Sequence, residues 1–399
     1  MNDRLLLRGG AVSGMELPGP GCPADLYIEG GRIAAVRPAS SGGKSWEKGN
    51  FTEIDLSGLK VFPGLIDIHI HGACGHDFTE GTGEALEAAA ADMVKDGVTA
   101  FAASLTVLSP GRMKEALRSL GELRNRGSGP DRGGARFLGV HSEGPFIAAE
   151  YKALMDERYI RPPDADDFEE MAEAARGALI LMTFSPHYDS FPCLFPIAER
   201  RKIAMMIGHS SASAGEAAAA LDRGAAGYTH LYNAMSGHHH RNPGVVSAAL
   251  SDRRGYAELI ADTVHVCPRV LRFTWDLLGS KRIILVSDAM PGKSMGDGEF
   301  IFSNLPVVKK DGRAWVKETG RLAGSVAPLN RGLKNMAEIC GAGDGELAEM
   351  ASANPAKLLG LYGELGGIGP GKRADLAVFD GAYNTVMTIV GGRIVYRAD

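Results

Sequence analysis

The apolar positions of this chain gather into short, nearly unbroken runs separated by stretches of helical or irregular pattern. Eight runs have strand length, at 64–71, 99–104, 135–143, 179–186, 202–209, 227–235, 256–266 and 282–290. Strands that are apolar on both faces belong to a parallel sheet covered on both sides. Between them the periodicity predicts helices at 84–96, 110–126, 213–223 and 268–279. Eight such units imply a closed (β/α)8 TIM barrel, an α/β fold.

The chain ends carry a different pattern. Residues 26–36 and 388–396 each read as a strand, a Gly-Gly turn and a second strand, so both predict hairpins. The economical arrangement is a small β-sandwich domain built from residues 1–60 and 367–399, with the barrel, 61–366, between them. The stretch Ser40 to Gly49, rich in Ser, Gly and Lys, reads as a flexible loop on that small domain.

Polar residues interrupt the apolar runs at their carboxyl ends, where barrel enzymes keep their chemistry. His69 and His71 end the first run, Glu143 the third, His209 the fifth, and Asp288 the eighth, while His230 lies within the sixth. Side chains two apart on a strand share a face, so both imidazoles of the His-x-His can reach one ion. Each residue taken singly has a structural alternative, such as a satisfied core hydrogen bond. The ordered set, converging on one barrel mouth, favours chemistry.

Mixed imidazole and carboxylate ligands suit zinc, iron or another divalent transition metal without choosing among them. Such an ion lowers the pKa of bound water toward ~7 and stabilises a tetrahedral oxyanion, the two things that hydrolysis of an unactivated amide lacks. Asp288 is the candidate general base and acid, with a purely ligating role as its alternative.

Composition narrows the class of protein. With 399 residues and a formal net charge of −5, the chain has no basic excess for nucleic acid, and a small-molecule enzyme is expected. Its five cysteines are scattered without a Cys-x-x-Cys, which suggests neither a disulfide framework nor a zinc ribbon and points to a reducing cytoplasm. The opening residues 1–8 carry an acid and too short an apolar stretch for a signal peptide, and no run approaches ~18 apolar residues. Neither export nor membrane spanning is expected.

Several segments resemble the amidohydrolase superfamily, and within it the N-acetylglucosamine-6-phosphate deacetylase family. They are 62–72 (Phe-Pro-Gly-Leu-Ile-Asp-Ile-His-Ile-His-Gly), 141–146 (His-Ser-Glu-Gly-Pro-Phe), 208–210 (Gly-His-Ser), 229–235 (Thr-His-Leu-Tyr-Asn-Ala-Met), 239–244 (His-His-Arg-Asn-Pro-Gly), 286–289 (Val-Ser-Asp-Ala) and 322–325 (Leu-Ala-Gly-Ser). The His-Leu-Tyr-Asn-Ala-Met and His-Ser-Glu-Gly-Pro-Phe runs are specific to the deacetylases; the His-x-His and the closing 371–376 mark the superfamily alone.

The resemblance implies that Glu143, His209 and His230 hold one ion, and that His69, His71 and Asp288 hold a second with Glu143 bridging. Members lacking the first histidine of the pair resemble mononuclear enzymes; this chain keeps both, so two ions are favoured over one. It further implies a homodimer, an amino sugar phosphate substrate, and substrate contacts from Asn233, Ala234, Arg241 and His265, with Arg241 reaching the neighbouring subunit's site. Main-chain N–H groups at 233 and 234 would cradle phosphate and the Arg241 fork would grip it. An exposed salt bridge for Arg241 and a core hydrogen bond for His265 are the alternatives. The cluster 238–240 reads as a structural loop rather than a metal patch.

Two departures stand out. Lys152-Ala153-Leu154-Met155 replaces the family's Lys-Gly-Ala-His or Lys-Gly-Ala-Gln, whose histidine is thought to polarise substrate, and Ser185-Pro186-His187 replaces Ala-Pro-Glu. The expected reaction is deacetylation of N-acetylglucosamine 6-phosphate to glucosamine 6-phosphate and acetate. The rival readings are an amidohydrolase acting on another N-acyl amino sugar or a cyclic amide, and a non-catalytic scaffold with this fold.

Overall fold

The computed structural model describes residues 4–14, 21–39, 51–127 and 133–399; the loop expected at 40–49 lies outside them. Eight parallel strands pair in sequence order: Leu65–Ile70, Val98–Leu105, Arg136–Glu143, Leu179–Phe184, Ala204–Ile207, Gly227–Tyr228, Tyr256–Leu259 and Ile283–Leu285. Beyond the ladder, the eighth and first strands are tied by main-chain bonds from Asp288 N–H to His69 O (2.9 Å) and from His71 N–H to Ala289 O (2.7 Å), which nearly closes the barrel.

Alternation places one set of side chains inside and the other under the helices. Ile66, Ile68, Ala100, Ala102, Leu181, Met206 and Ile284 share one buried cluster. Leu65, Phe101, Val140, Met182 and Leu285 pack instead with helix residues such as Leu86, Leu117, Phe168 and Leu271. The expected helices form at Gly83–Met93, Pro110–Asn125, Ala214–Asp222 and Pro268–Leu278. Ala165–Ala174, Phe195–Arg201 and Val245–Ser251 add helices that the pattern did not predict.

The apolar run 227–235 yields only the two-residue strand Gly227–Tyr228. Past it the chain turns through positive φ at His230, Tyr232 and Ala234. An apolar run reports burial, and here the buried backbone is a turn rather than a strand.

Strands from both chain ends form one continuous eight-stranded sheet. The N-terminal set, Arg4–Val12, Cys22–Glu29, Arg32–Pro38, Thr52–Asp55 and Lys60–Pro63, meets the C-terminal set, Leu376–Phe379, Thr385–Val390 and Arg393–Arg397, where Lys60–Pro63 runs antiparallel to Leu376–Phe379. Lys60–Pro63 thus straddles the boundary expected at residue 60. Leu7, Leu26, Ile28, Val61, Leu376 and Ile389 share one core, so the two ends bury their apolar side chains against each other. Both predicted hairpins are present. Gly30, Gly31, Gly391 and Gly392 all have positive φ, as tight hairpin turns require. A Cβ on Gly31 would stand 2.9 Å from Gly391 O, because the two turns pack on each other.

A three-stranded antiparallel sheet, Gly298–Phe302, Leu305–Lys310 and Arg313–Val316, follows the eighth strand and was not expected. Its turn signals, Ser303-Asn304 and Asp311-Gly312, are present in the chain, but its strands are only partly buried and alternate weakly. The loop leading to it is pinned by Lys293, whose buried ammonium lies 2.5 Å from Asp92 and 2.8 Å from Asp96 near the end of the first barrel helix.

Candidate metal centre and active-site pocket

The six expected ligands converge, all of them buried. Glu143 Oε1 lies 2.9 Å from His230 Nε2, 3.0 Å from His209 Nε2 and 3.4 Å from His69 Nε2. Its other oxygen, Oε2, is 3.3 Å from His71 Nε2. Asp288 Oδ1 lies 3.3 Å from His71 Nε2 and 3.5 Å from His69 Nε2, and the two Nε2 atoms of the His-x-His are 3.3 Å apart.

These separations fit a coordination shell. Four ligands at about 2.0–2.1 Å from a tetrahedral ion stand about 3.3–3.4 Å from one another. The donor chemistry fits as well. His209 Nδ1–H donates to Tyr151 O (2.6 Å) and His69 Nδ1–H to Glu258 Oε2 (2.9 Å), which turns the Nε2 atom of each ring toward the centre, where a cation would take it as a ligand. Among the described residues, two groupings satisfy the spacing for a cation: His69, Glu143 and His230, and His69, His71 and Asp288. The site is therefore compatible with a divalent metal.

Local backbone geometry aims three of these side chains. His209, His230 and Asp288 have φ of 45°, 29° and 47°, the sparsely populated left-handed region, and strain of this kind clusters at functional sites. Asp67, which was not expected, braces the same seam: its Oδ1 accepts the N–H groups of His69 and Ser287, both at 3.3 Å, linking the first and eighth strands. Burial pushes its carboxyl up to about 6.

The charges support one another. Burial works to raise Glu143, but His209 and His69 outweigh it and hold its carboxyl well below the usual range. Asp288 is lowered in the same way, by His69 and His71 against its burial. For His71, burial pulls down while Asp288 and Glu143 push up, to about 9. Acids and imidazoles thus hold each other in charged form, and a cation among them takes the place of the imidazolium protons. His141 differs: burial, then His69, take it well below its ordinary value, and it bonds Ser104 (2.9 Å) and Thr183 (2.8 Å) away from the ligands.

A cavity of about 190 Å³ opens onto the centre. Glu143, His71, His209, His230 and Asp288 form its polar wall, and Leu154, Met155, Phe302 and Leu322 an apolar one. Phe302 comes from the unexpected three-stranded sheet and packs against His71 with ring centroids 5.4 Å apart.

Asn233, Ala234 and His265 also line the cavity. The Asn233 main-chain N–H, expected to cradle phosphate, is instead committed to His230 O (3.0 Å), because residues 230–233 close a tight turn. His265 donates from both nitrogens, to Asp262 Oδ2 (2.8 Å) and Ala323 O (2.9 Å). Burial lowers its pKa, but the Asp262 bond outweighs that and raises it, in keeping with two acceptors facing its two nitrogens.

Arg241 does not line the cavity of its own chain; it is exposed and its guanidinium donates to His240 Nε2 at 2.7 Å. His239 Nδ1 accepts the N–H groups of Arg241 (3.3 Å) and Asn242 (3.1 Å), organising that turn. His187 also stands outside the cavity, bonded to Ser185 Oγ (2.6 Å) and packed on Tyr188.

Barrel and ligand set together define the class of protein. The model of the Amidohydrolase family matches residues 60–395. An N-acetylglucosamine-6-phosphate deacetylase of Bacillus subtilis (strain 168) is 32% identical over 84% of this chain and 84% of its own length. An N-acetylgalactosamine-6-phosphate deacetylase of Escherichia coli O157:H7 is 30% identical over 92% of this chain and 94% of its own. The Mycobacterium smegmatis N-acetyl-D-glucosamine-6-phosphate deacetylase, solved as a variant in complex with N-acetyl-D-glucosamine 6-phosphate, superposes with a TM-score of 0.88 at 28% identity, covering 98% of this chain and 99% of that one. This chain belongs to the N-acetylglucosamine-6-phosphate deacetylase family of the amidohydrolases.

Proposed function

We propose that this protein removes the acetyl group from N-acetylglucosamine 6-phosphate, giving glucosamine 6-phosphate and acetate. The observation that carries the reading is the convergence of six imidazole and carboxylate side chains, five of them lining one small cavity, in a chain about a third identical to deacetylases of such sugars. That convergence also weighs against a non-catalytic scaffold, which has no need to keep the whole set.

Glu143, His209 and His230 would hold one ion; His69, His71 and Asp288 would hold a second, with Glu143 between them. Two ions are favoured because both Glu143 oxygens are engaged by the set: Oε1 approaches His209, His230 and, at 3.4 Å, His69, while Oε2 approaches His71. Zinc or iron suits these donors. The bound metal supplies Lewis acidity and a water of lowered pKa.

The protein's own groups do the rest. Asp288, held ionised, takes a proton from the attacking water and returns it to the departing amine nitrogen. The apolar wall excludes bulk water, which strengthens the electrostatics inside. His265 presents positive charge toward the sugar phosphate, Asn233 and Ala234 line the same side, and Arg241 of a second copy completes the anion site in a homodimer.

The decisive experiment is an acetate-release assay with metal supplied, across N-acetylated hexosamine 6-phosphates. N-acetylglucosamine 6-phosphate is the expected substrate. The galactosamine epimer belongs in the panel, since a relative of comparable identity is named for it. Failure on every member would transfer the reading to an amidohydrolase of another N-acyl amine or cyclic amide. We place the protein in the cytoplasm, a reading supported by five free cysteines. No helix among the described residues is long and apolar enough to cross a membrane.

A further inference from the structure

Glu258 belongs to neither group of ligands, yet it touches a member of each. It stands on the seventh strand, Tyr256–Leu259, and is fully buried. Its Oε2 accepts the Nδ1–H of His69 at 2.9 Å and the main-chain N–H of His230 at 3.1 Å. Its Oε1 finds no hydrogen-bond partner among the described residues. A carboxylate buried with half its acceptor capacity unused is costly, so a packing role alone is a poor reason to keep it there.

What those two bonds do is specific. A carboxylate only accepts, so the bond to His69 fixes that ring as the Nδ1–H tautomer and directs the Nε2 lone pair toward His71, Glu143 and Asp288. It also raises the basicity of the ligating nitrogen, as a carboxylate behind a metal-bound histidine does. By contrast, the Nδ1 atoms of His71 and His230 have no hydrogen-bond partner among the described residues. The second bond holds the N–H of His230, whose φ of 29° is strained.

We propose that Glu258 is a positioning residue that sets metal affinity through His69 and, by gripping the His230 turn with the same oxygen, ties the two ligand groups together. The inference rests on the hydrolytic metal centre proposed above.

The test is transfer of zinc from the zinc-loaded holoenzyme to a competing chromophoric chelator, measured for wild type, Glu258→Gln, His69→Gln and the double variant. Loss of a carboxylate behind a ligating histidine typically weakens metal affinity 10–100-fold, and Glu258→Gln should fall in that range. In the His69→Gln background the same change should add little, because its route through His69 is already cut. Wild-type affinity in Glu258→Gln, or a full independent loss in the double variant, would overturn the proposal. Should Glu258→Gln fail to fold, Glu258→Asp, with the charge drawn back by one methylene, carries the same cycle. Metal transfer is read without substrate, so the two readings fail separately: coupling in a protein that deacetylates nothing sinks the proposed function alone, and a working deacetylase without coupling sinks this one.

Discussion

Replacing Asp288 by asparagine separates proton transfer from metal binding. Asparagine has the same shape and keeps an oxygen where Asp288 Oδ1 lies, 3.3 Å from His71 Nε2 and 3.5 Å from His69 Nε2. The main-chain bond from residue 288 to His69 O is independent of the side chain, so the closure of the barrel seam survives. What disappears is the negative charge and, with it, a site that accepts a proton near neutral pH.

General acid–base groups contribute typically ~10²–10⁴ in rate. At about 1.36 kcal/mol per decade that is about 2.7–5.4 kcal/mol of barrier. Glu143, His209 and His230 hold their mutual geometry without Asp288, so metal bound to them should remain. We therefore expect kcat to fall ~10²–10⁴-fold with KM nearly unchanged. Steady-state deacetylation and elemental analysis on the same preparation measure both quantities. A fall of less than about tenfold with metal retained would refute the base assignment. So would activity that returns fully on adding metal, which would leave Asp288 as a ligand only.

The remaining expectations concern the departures, the interface and the scaffold. His69→Gln should lower kcat sharply and His187→Ala hardly at all, since His187 is turned to Ser185 and Tyr188; a larger loss at His187 would overturn the two-ion reading. Co-purified Arg241→Ala and Asp288→Asn chains should regain activity as a heterodimer, because one of its two sites is then intact; no recovery in a verified heterodimer places Arg241 in its own chain's site. Lys293→Met leaves Asp96 buried without this ammonium and Asp92 with only the exposed Lys95 at 3.3 Å, at a cost of about 3–5 kcal/mol, read as a lowered urea midpoint. Burial lowers the Lys293 pKa, but Asp96 and Asp92 outweigh it and raise it. Its contribution is therefore full below the ordinary lysine value of ~10.4 and lost as pH rises through the higher folded value. The gap between wild type and variant should be constant up to about pH 10 and shrink above it; a gap that closes already near pH 8 would refute the assignment.

Barrel strands were legible because burial on both faces leaves continuous apolar runs, and the ligands because charged side chains stand out against them. The same contrast marks Glu258 and Asp67, each a lone carboxylate in an apolar stretch. Both stand inside their strands rather than at the carboxyl ends, where a barrel carries its ligands, so position alone gives them no chemical role. Strand ends themselves were poorly marked: 229–235 is as apolar as a strand, but its burial serves a strained turn. The contact of Lys293 with Asp92 joins residues 201 positions apart and leaves no local periodicity. Arg241 poses a different problem, because whether it meets an anion depends on a second copy that one chain's sequence does not specify.

The two departures from the family pattern bear on the charge balance of the cavity. Its lining includes no lysine or arginine among the described residues, and His265 shares its charge with Asp262 and Ala323. A phosphate dianion is therefore undersupplied with positive partners from one chain, which agrees with the proposal that Arg241 of a second copy completes the anion site. At the other end, Met155, beside Leu154, stands where the family resemblance puts a polar donor, so in the proposed reaction the growing negative charge on the acyl oxygen would have no side-chain partner on that wall. The charge at the six-ligand centre must then carry it. A dry wall makes that possible, since the interaction of charges strengthens steeply as water is excluded. Retaining His69, with Glu258 behind it, and replacing the loop histidine by methionine are on this view linked: the chain that keeps the fuller ligand set is the one in which the loop imidazole is dispensable.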